Sequence, residues 1–267
     1  MITSRSNATL KAVRALRQRS ERSRTGLMFA EGTQLVGEAI QNGMEVVQVI
    51  ASPDRVRSPF AREMIQAALA RGAEYLEVSA DVYDSLTESD GRQGLAAVIR
   101  QRWTPLEQVD PRGGRIWVAM NSVQYPGNLG TILRTLDSVG GAGVILLGHS
   151  TDPYDLAAAR ASLGAVFSLG MVRTDLEAFA VWKQRWGVHL VAADLGATVS
   201  YRDAAYPTPT VLLMGAERDG LTPEQKAVCD TMVYIPMVGR RDSLNVAVAA
   251  SLILYEIFHQ AQVPAQV

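Results

Sequence analysis

Apolar positions change their spacing several times along the chain, and each change marks an element. Leu10, Val13, Ala15 and Leu16 recur at roughly helical spacing and predict a short amino-terminal helix. The helical pattern resumes over 33–41 and stops at Asn42-Gly43, a pair suited to closing a helix. A strand at 46–51, a helix over 60–71 closed by Gly72, a strand at 74–78, a helix near 82–86 and a strand at 95–100 follow. Residues 1–100 therefore form a unit of small α/β domain size.

The pattern stops over 101–114, where Pro105, Pro111, Gly113 and Gly114 with interleaved charges predict a linker. A second domain then spans 115–267, with strands at 116–120, 144–147, 188–192, 210–214 and 233–235. These strands are apolar and mostly uninterrupted, as strands covered on both faces must be, so they predict a parallel sheet. Helices fall at 130–139, around 156–163, and at 176–186, 223–228 and 244–260. In such sheets ligands sit beyond the carboxyl ends of the strands, which makes the loops after strands the place to look for chemistry.

Composition adds exclusions. Nearly half of the 267 residues are apolar (48%), enough for a buried core, yet the longest apolar runs are far too short to cross a bilayer. No basic segment followed by an apolar run opens the chain as a signal peptide would, so a cytoplasmic protein with no membrane partner is expected. Cys229 is the only cysteine, and His149, His189 and His259 are scattered, so no disulfide and no metal site is expected. The net charge of −1 hides a basic amino terminus, where Arg5, Lys11, Arg14, Arg17, Arg19, Arg22 and Arg24 stand against Glu21 alone. That stretch suits either phosphate contacts or a solvated helical face, and its composition favours neither.

Three loops after strands are unusual. In the first, 121–135, Pro126, Gly127 and Gly130 set a tight turn, Asn128 is a natural helix N-cap, and Arg134 lies about one turn into the helix that follows. The second, 213–221, has Gly215 and Gly220 where the backbone could turn sharply or meet a ligand, with the carboxylate of Glu217 between them. The third, 235–250, offers Asp242 or Ser243 as caps for the final helix, whose small residues Ala247, Ala249, Ala250 and Ser251 predict close packing. Asn245 is left as a polar amide needing a partner. Each loop alone reads equally well as a capped or surface turn.

Together the three resemble the signature motifs of the SpoU branch of the SPOUT RNA methyltransferases, in order and spacing. The resemblance runs through Asn128, Gly130, Ile132 and Arg134, then Gly215, Glu217, Gly220 and Leu221, then Ile235-Pro236-Met237, Gly239 and Ser243-Leu244-Asn245-Val246. It extends to Arg160-Ala161-Ser162 with Gly164-Ala165, and in the first domain to Phe29, Glu31-Gly32, Leu35 and Glu38-Ala39. Asn121 and Tyr125 depart from it, since many members carry an acidic residue there.

The resemblance implies a carboxy-terminal SPOUT domain with a deep trefoil knot, an S-adenosylmethionine cofactor, a homodimer, and a first domain that binds RNA through a fold like that of a small ribosomal protein. It implies methylation of a ribose 2′-hydroxyl, in ribosomal RNA more than in transfer RNA, because the added first domain is similar to that of the ribosomal members. It places Asn128, Arg134, Glu217, Ser243 and Asn245 around the hydroxyl and nominates Arg134 to activate it. A guanidinium does not give up its proton, so Arg134 is expected to stabilise the developing alkoxide and hold the adjacent phosphate. The cofactor is expected at Gly215, Ile235 and Leu244, and Met214 and Met237 nearby could pad the same pocket, although methionines near strand ends are more often ordinary core. One rival reading is an RNA-binding protein of the same fold that does not methylate, which cofactor binding and methylation of bulk RNA would exclude. The other, a nucleotide-dependent oxidoreductase, lacks the glycine fingerprint it needs after a strand.

Overall fold

The structure, a computed structural model, describes residues 1–88, 93–113, 116–148, 150–240 and 243–262. His149, Gly114 and Asp242, for which the sequence carried expectations, lie outside the described residues. Two compact units divide the chain, Met1–Arg102 with Tyr154–Ser168, and Trp103–Pro153 with Leu169–Val267.

The first unit runs α1 (Ala8–Ala15), α2 (Arg19–Thr25), β1 (Leu27–Glu31), α3 (Thr33–Gln41), β2 (Val46–Ala51), α4 (Pro59–Ala70), β3 (Glu74–Glu77), α5 (Ala80–Leu86) and β4 (Leu95–Arg100). Its sheet has the order β1-β4-β2-β3, with β4 antiparallel to both neighbours and β3 parallel to β2. Side-chain oxygens of Asn7, Ser58 and Ser79 cap α1, α4 and α5. Helix α2 escapes the periodicity reading because the residue it buries is not apolar but Arg22, and β1 was not expected either.

That arginine changes the picture of the basic amino terminus. Arg22 is 3% exposed, and its guanidinium donates to the carbonyls of Leu16 (3.0 Å) and Arg17 (2.8 Å) and to the Asp155 carboxylate (3.0 Å). Arg5 pairs with Asp81, Arg14 donates to the Arg5 carbonyl and the Ser85 hydroxyl, Arg17 donates to the Leu86 carbonyl, and Arg24 pairs with Glu21. Much of the basic charge therefore organises the unit itself, whereas Lys11 and Arg19 are exposed and pair with no described residue.

In the second unit the chain forms β5 (Trp117–Asn121), α6 (Pro126–Ser138) and β6 (Gly143–Leu147), then contributes α7 (Leu156–Ala161) and α8 (Ala165–Ser168) to the first unit. It returns as β7 (Gly170–Thr174), α9 (Leu176–Trp186), β8 (His189–Ala193), β9 (Val199–Ser200), β10 (Thr210–Met214), α10 (Pro223–Ala227), β11 (Thr231–Tyr234) and α11 (Val246–Gln262). The sheet order is β7-β6-β5-β10-β8-β11-β9 and every pair is parallel, as the doubly covered strands implied. The helix expected around 156–163 thus sits with the first unit, where Arg160 pairs with the buried Glu31 and with Glu88, and Tyr154 exchanges hydrogen bonds with the Arg102 backbone.

The expected linker is no free spacer. Leu106 and Val109 are buried in the core of the second unit beside the stacked rings of Phe179 and Trp182 (5.7 Å), and the Trp182 indole N–H donates to the Val109 carbonyl at 3.0 Å. The Thr104 amide donates to Met171 at 2.8 Å, on the outer side of edge strand β7. Proline and charge break the periodicity here, but the two apolar residues still find a core. Among the described residues no helix is long and apolar enough to cross a membrane.

Arg22→Ala is expected to lower unfolding stability by about 2–3 kcal/mol in urea titration, because it removes a buried guanidinium from two carbonyls and from the partly exposed Asp155. Arg24→Ala, whose ion pair is exposed, should change it by less than about 1 kcal/mol. Equal effects would show that the burial of Arg22 carries no energetic weight.

Candidate active site

Four neighbouring strands, β5, β10, β8 and β11, end side by side at Asn121, Met214, Ala193 and Tyr234. The loops leaving the carboxyl ends of parallel strands share one edge, so segments far apart in sequence meet there. Three of these are the loops singled out in the sequence. The fourth begins at Asp194.

Helix α6 starts at Pro126, whose fixed φ and missing N–H suit the first helical position. The N-cap position is thus Tyr125, which supplies no side-chain cap, and Asn128 lies inside the first turn rather than capping it. Arg134 is accordingly more than two turns into the helix. Freed from capping, Asn128 donates through Nδ2 to Glu217 Oε1 at 2.7 Å, and the Tyr125 amide approaches the same oxygen at 3.4 Å.

Glu217 is held by a tight loop in which Ala216 and Gly220 exchange backbone hydrogen bonds of 2.9 and 3.0 Å, with Gly220 at φ 66°. A Cβ on Gly215 would lie 2.5 Å from the Gly220 carbonyl carbon and 2.8 Å from the Leu221 nitrogen. The loop's own crossing therefore demands glycine at 215, whatever the ligand.

Helix α11 begins at Val246, and its cap is Asn245, not Ser243. Asn245 Oδ1 accepts from the amides of Ala247 (2.9 Å) and Val248 (3.4 Å), while Nδ2 donates to Asn128 Oδ1 at 3.1 Å. Both partners of that unexplained amide are thereby found. The directions are forced in sequence: helix amides require an oxygen from Asn245, its nitrogen then requires an oxygen from Asn128, and the Asn128 nitrogen is left for a carboxylate. Buried Ala247 and Ala250 go with the close approach of α11 to α6, where Thr135 and Ser251 hydroxyls meet at 2.9 Å.

A cleft of about 260 Å³ opens beside this chain, bounded by Gly215, Glu217, Ile235, Ser243 and Leu244. Met214 and Met237, whose type favoured ordinary core over pocket padding, also line it, though Met214 is buried and Met237 is 37% exposed. Larger hollows over α9 and α4 gather no motif residue. Arg134 is exposed, stands apart from the cleft wall and pairs with no described residue. Asp194 and Leu195 line the cleft as well, and the sequence reading missed them. Their only signal was position, directly after the β8 strand. Burial alone would raise the Asp194 carboxyl, but hydrogen bonds from Lys226 and the Gly196 amide, with the Lys226 charge, outweigh it and hold it below the ordinary aspartate value.

The SpoU rRNA Methylase family model matches residues 115–255, and an MRM3-like substrate binding domain matches residues 7–97. A 23S rRNA (uridine(2479)-2′-O)-methyltransferase of Streptomyces viridochromogenes is 32% identical, over 97% of this chain and 92% of its own. A 23S rRNA (guanosine(2553)-2′-O)-methyltransferase of Bacillus subtilis is 29% identical, over 96% and 98%. An AdoMet-bound rRNA methyltransferase from Sinorhizobium meliloti superposes with a TM-score of 0.90 at 36% identity, over 98% of both chains. The Streptomyces SpoU methyltransferase AviRb in complex with AdoMet gives 0.84 at 31%, over 95% and 98%. The chain belongs to the SpoU rRNA methylase family.

Asn245→Ala should cost about 1 kcal/mol of unfolding stability through loss of the cap, whereas Asn245→Ser, which can cap, should retain most of it while removing the donor to Asn128. Urea titration of the two variants checks this. An alanine variant as stable as wild type would deny Asn245 the capping role.

Proposed function

We propose that this chain methylates the 2′-hydroxyl of a ribose in ribosomal RNA, using S-adenosylmethionine. The observation that carries the reading is the polarised chain from Asn245 through Asn128 to Glu217, set beside a cleft walled by Gly215, Ile235 and Leu244. The relatives support it by likeness along nearly the whole chain, and their printed substrates differ in base, uridine in one and guanosine in the other. What they share is a ribose hydroxyl of 23S rRNA, and that is the substrate class carried over to this chain.

The residues present fit the donor. Met214, Met237, Ile235 and Leu244 offer apolar cover for an adenine, and the main chain at Ile235, just past the end of β11, is free of the ladder and can hydrogen-bond a ligand. The bound donor supplies a methyl group on a sulfonium, and its transfer needs no metal. The protein must therefore align the hydroxyl and offset charge as its oxygen bonds to carbon and its proton leaves. Glu217 and Asn128 set the loop geometry, and Ser243 presents a hydroxyl at the cleft. Arg134, with its guanidinium unengaged, holds the substrate phosphate and stabilises the forming alkoxide, while the proton leaves to a neighbour or water. In the first unit Lys11 and Arg19 are the cations of the amino terminus left to meet RNA phosphates.

This reading includes a homodimer, supported by an exposed apolar stripe on α11 at Val248, Leu252 and Tyr255, 38–52% exposed. It includes the trefoil knot, supported by a strand order in which the late strand β10 enters between β5 and β8. A cytoplasmic location goes with the substrate.

Three outcomes are expected. Mapping of 2′-O-methyl groups in ribosomal RNA from cells with and without the gene should show one site lost, and unchanged maps with no methylation of transcripts in vitro would overturn the function. Arg134→Ala should lose about 10²–10³-fold in kcat with cofactor affinity retained, by analogy with removal of an oxyanion donor. Near-normal turnover by a folded variant would remove Arg134 from the mechanism. Val248→Asp with Leu252→Asp should convert a dimer to a monomer in sedimentation, and a wild type that sediments as a monomer would refute the stripe as an interface.

A further inference from the structure

Between the loops of the second and third motifs lies one that belongs to neither. Strand β8 sits between β10 and β11, so the residues leaving its carboxyl end stand between the Gly215 loop and the Ile235 loop. The first side chain there is Asp194, which lines the cleft and is 14% exposed.

A carboxylate at that depth needs compensation, and the structure supplies it from two sides. Lys226 Nζ of α10 lies 2.6 Å from Oδ2, and the Gly196 amide donates to Oδ1 at 2.8 Å. An ionised carboxylate has about four acceptor sites, so one partner on each oxygen leaves further capacity. The other carboxylate on the cleft wall, Glu217, is tied to the α6 loop through Oε1, which accepts from Asn128 and the Tyr125 amide. Ala193, Leu195, Val233 and Ile235 add apolar surface to the same wall, which also carries the charged Arg218. A fixed, desolvated acceptor in an apolar recess selects a ligand that brings hydroxyl donors to that point. The nucleoside sugar of the methyl donor is such a group, and acidic side chains at the carboxyl end of a parallel strand serve ribose hydroxyls in dinucleotide sites by the same chemistry.

We infer that Asp194 binds a ribose hydroxyl of the methyl donor and that Lys226 is the positioning residue that holds its carboxylate there. This rests on the cofactor assignment made above, and it adds a side-chain sugar contact to a site otherwise described by main chain and apolar cover. Asp194 thereby sets selectivity for a ribonucleoside over a deoxyribonucleoside donor.

The test is calorimetric titration of S-adenosylhomocysteine and its 2′-deoxy and 3′-deoxy analogues into the full chain, wild type and Asp194→Ala, with Asp194→Asn as the conservative variant. Wild type should bind at least one deoxy analogue about 10- to 100-fold more weakly than the parent, the range for a hydrogen bond to a charged group. Asp194→Ala should bind the parent as weakly as wild type binds that analogue and should no longer discriminate between them. Asp194→Asn should fall between. Wild type that binds all three ligands alike overturns the inference without any substitution, so a variant that fails to fold does not shield it. Discrimination that persists in Asp194→Ala overturns it too. Absence of S-adenosylhomocysteine binding to wild type is a separate result, which removes the cofactor assignment and this contact with it.

Discussion

A carboxamide donates from one end and accepts at the other, and the site depends on that polarity. The first amides of α11 fix the oxygen of Asn245, whose nitrogen fixes the oxygen of Asn128, whose nitrogen meets Glu217. Each side-chain bond in such a chain contributes about 1 kcal/mol net. The Asn128–Glu217 bond is part-buried and the Asn245 end is exposed, so a loop that shifts alone gives up its bond to the next. Three segments that each look like an ordinary turn are thereby made mutually dependent, and the cleft beside them takes its shape from that dependence.

The parallel sheet makes the chain of amides possible. Because β10 lies next to β5 and two strands from β11, the loops carrying Asn128, Glu217 and Asn245 leave the same edge. Local demands are then met by residues that have no chemistry of their own: Pro126 starts α6 early enough to free Asn128, and Gly215 lets its loop cross Gly220 at a distance no Cβ would permit. The family's motifs are thus partly folding instructions. The first unit shows the converse, since Arg22, for which composition left phosphate contact and a solvated face equally open, is spent on two carbonyls and Asp155 within the fold.

Legibility in the sequence followed the strength of the local signal. Strands β2, β4 and β10 match their expected limits because short, mostly apolar runs between turn residues have few other readings. The dipeptide-long β9 and edge strand β7 carry no such run and were not seen. The expected cap at Asn128 failed because a side chain that can cap can also bridge, and the one at Ser243 because the helix starts later, at Val246, behind Asn245. Asp194 was invisible for a deeper reason, since its importance comes from the position of β8 between β10 and β11, and strand order is not written in any local window.

The segment that precedes β5 bears on how the second unit can be handled apart from the first. The family match begins at 115, but the unit's own packing begins at Trp103. A fragment cut at the family boundary would lose the acceptor of the Trp182 indole and the residues that fill its core at Leu106 and Val109. It would also lose the Thr104 contact that shields the outer rim of β7, leaving bare main chain where a second molecule could add a strand. Aggregation of such a piece would say nothing about the catalytic fold itself, only about the missing segment from Trp103 onward that behaves as its hem.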